Sequence, residues 1–204
     1  MTRDDLLKNI AQTGYNIGFG AKKHFATYDM VNKIPGFINF FSLAFGVYAL
    51  VFDQFSTKTL SAAFLVLGIM GLYISYYDTM KEAYDKSGVK LTKLYNDVGQ
   101  LYYKVKTAPD EELQECIREL TEIEGQFYEN CISKQIMFSD WYAHYKFFWQ
   151  HQIEWVDEQK NFSLLRDKVP LSFSFTVIAV ATTALAWLGC SIWPLLCRII
   201  AKIQ

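Results

Sequence analysis

His144 and His151 stand seven residues apart in the run "WYAHYKFFWQHQIEW", residues 141–155. On a helix, imidazoles at that spacing share one face. Asp140, Glu154 and Glu158 fall along the same face, with Phe147 and Phe148 near its edges. Such a strip could hold a divalent cation weakly, move a proton or sense pH. Metal hydrolases, however, pair their ligands at i, i+3 or i+4, as in H-E-x-x-H, and that motif is absent. The competing reading is a hydrated polar edge, with Asp140 and His144 paired at i, i+4.

The aromatics of the same run raise a different chemistry. Trp141, Tyr145, Phe148, Gln152 and Trp155 repeat 4-3-4-3, and Tyr142, Trp149, Ile153 and Val156 fill the next stripe. Stacking of nucleic-acid bases on them would need a basic groove alongside. Residues 78–168 hold 12 basic and 17 acidic side chains, so no direct nucleic-acid ligand is expected. The stripe reads instead as a packing or subunit-interface surface, with Trp141, Tyr145, Phe148 and Trp155 as its residues. Other catalytic patterns are missing. "GFGAKKHF" (residues 18–25) lacks the G-x-x-x-x-G-K-[ST] of a phosphate loop and follows no strand, and there is no G-x-S-x-G. Cys116, Cys131, Cys190 and Cys197 form no C-x-x-C, so neither zinc nor a disulfide is expected of them. The chain reads as a non-enzyme with no catalytic residue, metal or cofactor.

The elements that carry these residues are set by hydropathy. Residues 34–52, 60–77 and 171–197 contain no Asp, Glu, Lys, Arg or His. The first two runs reach about 27–28 Å as helices, close to the hydrocarbon thickness of a bilayer. "DQFSTKT" (residues 53–59) is too short for anything but a hairpin turn. The third run is placed as a span from Leu171 to Trp193, with Trp187 and Trp193 as an interfacial belt. A re-entrant path, or a tail lying flat in the interface, is the alternative. Ten Lys and Arg residues flank the spans on one side, against Lys58, Arg198 and Lys202 on the other. That bias puts the N-terminus and the large polar segment in the cytoplasm. The polar, acidic start "MTRDDLLKN" does not read as a signal peptide.

Around the spans the pattern is helical throughout. Leu6, Ile10, Gly14, Ile17, Ala21, Phe25 and Tyr28 share one face of an N-terminal amphipathic helix. Gly14 and Gly18 either admit a close neighbour on that face or add local flexibility. Pro35 marks a kink or a helix start at the first span. Gly46, Gly68 and Gly71 offer close-packing points within the hairpin. The second span is expected to continue as a helix to about Lys106. Leu91, Leu94, Val98, Leu101 and Val105 form a coiled-coil-like seam on it, and Gly88 and Gly99 read as bends. "KTAPDEELQE" starts a return stretch that must break, with Gly125, Ser133 and Ser139 as candidates. The expected fold is an all-α membrane protein. It comprises a cytoplasmic N-terminal helix (1–33), a transmembrane hairpin (34–77, with spans 34–52 and 60–77), a cytoplasmic helical bundle (78–169) and a C-terminal span with a short tail (170–204). Intramembrane charge is absent, which disfavours a proton relay or ion-coupled transporter. Asn39, Ser42, Ser61, Ser75, Ser172, Ser174, Thr176, Thr182 and Thr183 could line a pore or bond their own helix backbone. So few spans enclose a channel only as an oligomer.

Three stretches are distinctive: "TGYNIGFGAKKHFATYD" (13–29), "LVLGIMGLYISYYD" (65–78) and "SKQIMFSDWYAHYKFFWQHQIEWVDEQKNF" (133–162). With the hairpin, they resemble the SLATT proteins, the SMODS- and SLOG-associating two-transmembrane effectors of bacteria, over most of residues 1–165. The resemblance implies a membrane effector of anti-phage defence. Such an effector would sit in the inner membrane, form a homo-oligomer and permeabilise the bilayer in abortive infection. It would be triggered by an operon-encoded sensor or by an enzyme such as a reverse transcriptase. No catalytic residues come with that family. The third span departs from its two-span plan, so a pore built from the hairpin, from the added span or from both stays open. The alternative function is a membrane scaffold that anchors a partner enzyme.

Overall fold

The structure, a computed structural model, describes the backbone of residues 2–200 apart from Gln152 and Leu165, and side chains through Leu188. The expectations for Gln152, Cys190, Trp193 and Cys197 fall outside the described side chains. Every long element among the described residues is a helix, interrupted by turns and short 3-10 segments.

The N-terminal amphipathic helix and the first span form one helix, α1 (Arg3–Val51), of 49 residues. It begins at a reciprocal capping box. The Thr2 hydroxyl accepts from the Asp5 backbone N–H, and the Asp5 carboxylate reaches back to the Thr2 N–H. This arrangement satisfies two of the donors a helix start leaves open. At 1.5 Å per residue α1 is about 73 Å long, enough for both a bundle core and a membrane crossing. Pro35 lies inside α1 rather than starting it. Its missing N–H costs the helix a hydrogen bond to the Val31 carbonyl, at the point where the sequence turns from amphipathic to uniformly apolar.

Past the 3-10 turn Asp53–Phe55, Thr57 caps α2 (Lys58–Ser75), its hydroxyl accepting from the Leu60 N–H. The two spans meet through rings, with Phe45 and Phe64 at 5.5 Å between centroids and Phe45 and Phe55 at 6.4 Å. The glycines expected to pack the hairpin do not do so within the chain. Nothing lies within 4 Å of a Cβ placed at Gly46 or Gly68, and one at Gly71 meets only Ile38 Cδ1 at 4.0 Å.

The second span does not run on as one helix. Backbone bonds tighten to i→i+3 at Tyr77→Ile74 and Met80→Tyr77, and a 3-10 turn (Asp78–Met80) leads into α3 (Lys81–Thr107). Buried Tyr77, packed with Val31, Ile74 and Ile136, fixes the step. The α3 seam is buried as its spacing implies, at Leu91, Leu94, Val98, Leu101 and Val105. Gly88 and Gly99 lie inside the single α-helix α3. There they leave room for Phe25 and Trp155.

The return stretch breaks twice. α4 (Leu113–Glu129) ends before a non-helical segment around Ser133, α5 (Ser139–Gln150) follows, and a second gap precedes α6 (Glu154–Lys160). Gly125 breaks nothing, being an exposed residue inside α4. The N-terminal half of α1 is the hub of the bundle. It packs most heavily on α3 and also on α4, α5 and α6. A Cβ at Gly14 would lie 2.2 Å from Trp155 Cη2, and one at Gly18 would lie 2.8 Å from both Phe147 and Tyr95. The two glycines are therefore notches into which rings fit, a close approach that any side chain would block. The C-terminal unit holds α7 (Leu171–Ile200). Among the described residues three helices, α1, the helical region starting with α2, and α7, are long and apolar enough to cross a membrane.

The notches give opposite expectations for one substitution. Gly14→Ala overpacks a buried Trp and should lower stability by about 1–3 kcal/mol. Gly125→Ala, in an open helix interior, should raise it by about 0.5–1 kcal/mol. Thermal unfolding of the detergent-solubilised protein measures both.

Candidate functional site

The joint between bundle and hairpin is built on residues 130–138, a non-helical strap between α4 and α5. Backbone outside helix and sheet leaves its polar groups unpaired unless side chains or water take them. Here side chains take many of them. The Ser87 hydroxyl donates to the Asn130 carbonyl. The Tyr84 hydroxyl donates to the Lys134 carbonyl at 2.5 Å and the Tyr77 hydroxyl to the Gln135 carbonyl at 3.4 Å. The Met137 N–H donates to the Tyr73 hydroxyl at 3.2 Å. Gln135 is clamped as well: its amide donates to the Ile132 carbonyl, and its oxygen accepts from Thr27 at 2.5 Å. Tyr73 and Tyr77 belong to the inner end of the second apolar run, whereas Tyr84 and Ser87 lie on α3 and Thr27 on α1. One strap thus binds all three.

His24 completes the grip. Its Nδ1 lies 2.7 Å from the Gly20 carbonyl and its Nε2 3.0 Å from the Ile132 N–H. A carbonyl can only accept and an N–H can only donate, so the ring is neutral with its proton on Nδ1. Burial pushes its pKa down, with the Gly20 bond opposing and the Lys23 charge adding to the shift. Protonating Nε2 would set a donor against a donor and release Ile132. Beside this contact, Asp29 pairs with Lys33 at 2.7 Å and with Lys146 of α5. Burial raises the Asp29 carboxyl, but the two ammonium groups outweigh it and hold the pKa low.

The two histidines of the aromatic run do not form a pair on one helix face. α5 ends at Gln150, so His151 and Glu154 lie beyond it and Glu158 lies on α6. His144 rests against Phe19 at 4.9 Å between centroids, and its buried Nδ1 has no hydrogen-bond partner among the described residues. His151 rests on Tyr95 at 4.7 Å, its pKa pushed down to about 4 by burial and the Lys22 charge. Asp140 and Glu158 are engaged elsewhere, with Lys23 at 2.8 Å and Lys106 at 2.7 Å. No group of three His, Cys, Asp or Glu side chains that could hold a metal occurs among the described residues.

The packing surface differs from the 4-3-4-3 stripe in register. Trp155 is buried in the Gly14 notch, but Tyr145 is exposed, and Trp141 and Phe148 are half-buried. Phe147, placed by spacing at an edge, is fully buried against Gly18. His24, Thr27, Tyr84, Ser87 and Gln135 went unmarked in the sequence. The spacing of Ile17, Ala21, His24 and Tyr28 does carry a signal for His24, since it keeps the imidazole on the buried face.

The sign of the pH effect follows from the neutral histidines. A histidine with a depressed folded pKa takes up protons more readily unfolded, so stability is full above the ordinary value near 6.5 and falls below it. For His151 that loss runs from about pH 6.5 down to about 4, and His24 adds to it below the ordinary value. We expect the Ile132 amide, after correction for intrinsic exchange rates, to lose hydrogen-exchange protection as the pH falls below about 6.5 and His24 takes up a proton. Its protection in a His24→Gln variant should be nearly independent of pH.

A family model described as "SMODS and SLOG-associating 2TM effector domain 6" matches residues 1–177. No curated protein and no solved structure matches the chain. The family implies a two-transmembrane effector domain in anti-phage defence and is not a known enzyme family. With the match covering α1 to α6 and the hairpin they contain, the chain belongs to the SMODS and SLOG-associating 2TM effector family.

Proposed function

We propose that the protein is an oligomeric effector in the bacterial inner membrane that permeabilises the bilayer when an operon-encoded sensor or enzyme engages its cytoplasmic bundle. The observation that carries this reading is the continuity of α1. The helix at the centre of the bundle is also the first span, so a displacement imposed on the bundle reaches the hairpin without crossing a loop. The spans supply a second support. Their outward residues, such as Leu43, Leu50 and Leu72, are uncovered by the chain itself, as lipid or a second copy would require. The orientation follows the Lys and Arg bias, with the bundle and the N-terminus in the cytoplasm.

The trigger would act on the outer face of the bundle. Residues 110–129 carry eight Asp and Glu against one Arg, and most of those carboxylates are exposed. A basic patch on a partner is the complement of that face. The same face supports the second reading, a scaffold that holds a defence enzyme such as a reverse transcriptase at the membrane. The two readings separate on the spans. Co-expressing the protein with its operon partners and triggering the response should collapse the membrane potential. Exchanging the hairpin for unrelated spans should abolish both depolarisation and protection. Protection that survives the exchange, with the partner still co-purifying, establishes the scaffold instead.

A further inference from the structure

The strap carries more apolar surface than its role as a tie requires. Ile136 is buried with Val31, Ile74 and Tyr77, but the next two residues turn outward. Met137 is 58% exposed and Phe138 50%. Their depth is fixed by the Met137 N–H bond to Tyr73, four residues up the second apolar run from Tyr77. The neighbouring surface of that run is open too, with Tyr76 at 68%.

We propose that residues 132–138 form a membrane-interface wedge, with Met137 and Phe138 seated in the lipid headgroup and upper acyl region on the bundle side of the bilayer. The inference rests on the reading that α1 and α2 span the membrane, and it adds a third, non-spanning contact with lipid. Three observations favour lipid over water at this surface.

The first is local conformation. Phe138 stands at φ 66°, in the left-handed region, and is the N-cap of α5 with no side-chain capping bond. Gly or Asn suits the first role and Ser, Asp or Asn the second, so a bulky apolar residue is unfavourable on both counts in water. Its ring lies against Trp141, 4.7 Å between centroids, which forms the kind of aromatic pair that membrane interfaces enrich.

The second is backbone satisfaction. Non-helical backbone at membrane depth persists where its polar groups are taken up by protein. The N–H groups of Ile132 and Met137 and the carbonyls of Asn130, Ile132, Lys134 and Gln135 are all bonded to side chains. Six backbone groups of one short strap are thus taken up by protein rather than left to water.

The third is the flanking charge. Lys134 Nζ sits 3.8 Å above the centroid of the Tyr76 ring. A lysine over an interfacial tyrosine keeps its stem along apolar surface and its ammonium at headgroup level, where anionic lipid phosphates lie. Met137, Phe138, Tyr76 and Lys134 thus extend the lipid-facing surface of the second span onto the strap. That continuity, with a cation at its aqueous edge, is why lipid rather than a second copy of the chain is the occupant.

Photo-crosslinking tests the wedge on the full chain and leaves its cysteines in place. A benzophenone amino acid is incorporated singly at Met137, at exposed Tyr128 on α4 and at Val47 within the first span. Each protein is reconstituted in vesicles of phosphatidylethanolamine and phosphatidylglycerol, irradiated, and weighed for phospholipid adducts. The expected result is lipid adduct at 47 and 137, with several-fold less at 128. A Phe138→Asn substitution, which suits both the left-handed turn and the cap and so keeps the fold, should reduce the adduct at 137 but not at 47. Adduct at 47 with 137 no higher than 128 overturns the wedge while leaving the spans intact. Crosslinking at 137 to a second protein chain instead of lipid overturns it in favour of a subunit contact. Absence of adduct at 47 contradicts the spanning reading itself, and the wedge with it.

Discussion

The continuity of α1 is the constraint on which the rest of the structure depends. A single 49-residue helix serves as the hub of a polar bundle over one half and as an apolar span over the other. The bundle half can be a hub only because Gly14 and Gly18 remove two side chains where Trp155, Phe147 and Tyr95 arrive. Truncating a buried ring of that kind typically costs about 3–5 kcal/mol, so the notches account for a large part of the stability available to a domain of this size. Few loops then separate what the bundle feels from what the hairpin does.

The strap adds a second connection of a different kind. It is held by directional bonds rather than by packed area, and its partners come from α1, the second span and α3 together. Hydrogen bonds of this type contribute only about 0.5–1.5 kcal/mol each, but leaving a buried partner unsatisfied costs more. Such a joint either holds as a set or lets go as a set. His24 gives the set a chemical weak point. It works only as a neutral ring in one tautomer, between a carbonyl and an N–H.

The sequence made the large features legible because they are periodic. Uninterrupted apolar runs marked the spans, and 3-4 spacing marked the buried faces of α1 and α3. The aromatic run misled because its 4-3-4-3 register assumes one helix through residues 141–155. Within α5 the buried face is Ser139, Ala143 and Phe147, four residues apart, which leaves Tyr145 outside, and the chain leaves the helix after Gln150, which separates His144 from His151. The strap was illegible for another reason. Thr27 and Gln135 are 108 residues apart, as are His24 and Ile132, and no local pattern announces a side chain that bonds so distant a segment. Phe138 breaks both local rules that apply to it, and such residues are where a propensity-based reading fails.

The central claim is that α1 carries the signal mechanically. Four glycines inserted after Lys33 would leave the bundle and the hairpin as units but break the helix between them. The measurement is membrane potential in cells carrying this variant with its operon partners, once the response is triggered. The account predicts normal membrane insertion and partner co-purification, with no depolarisation. Depolarisation equal to that of the unmodified protein would contradict it.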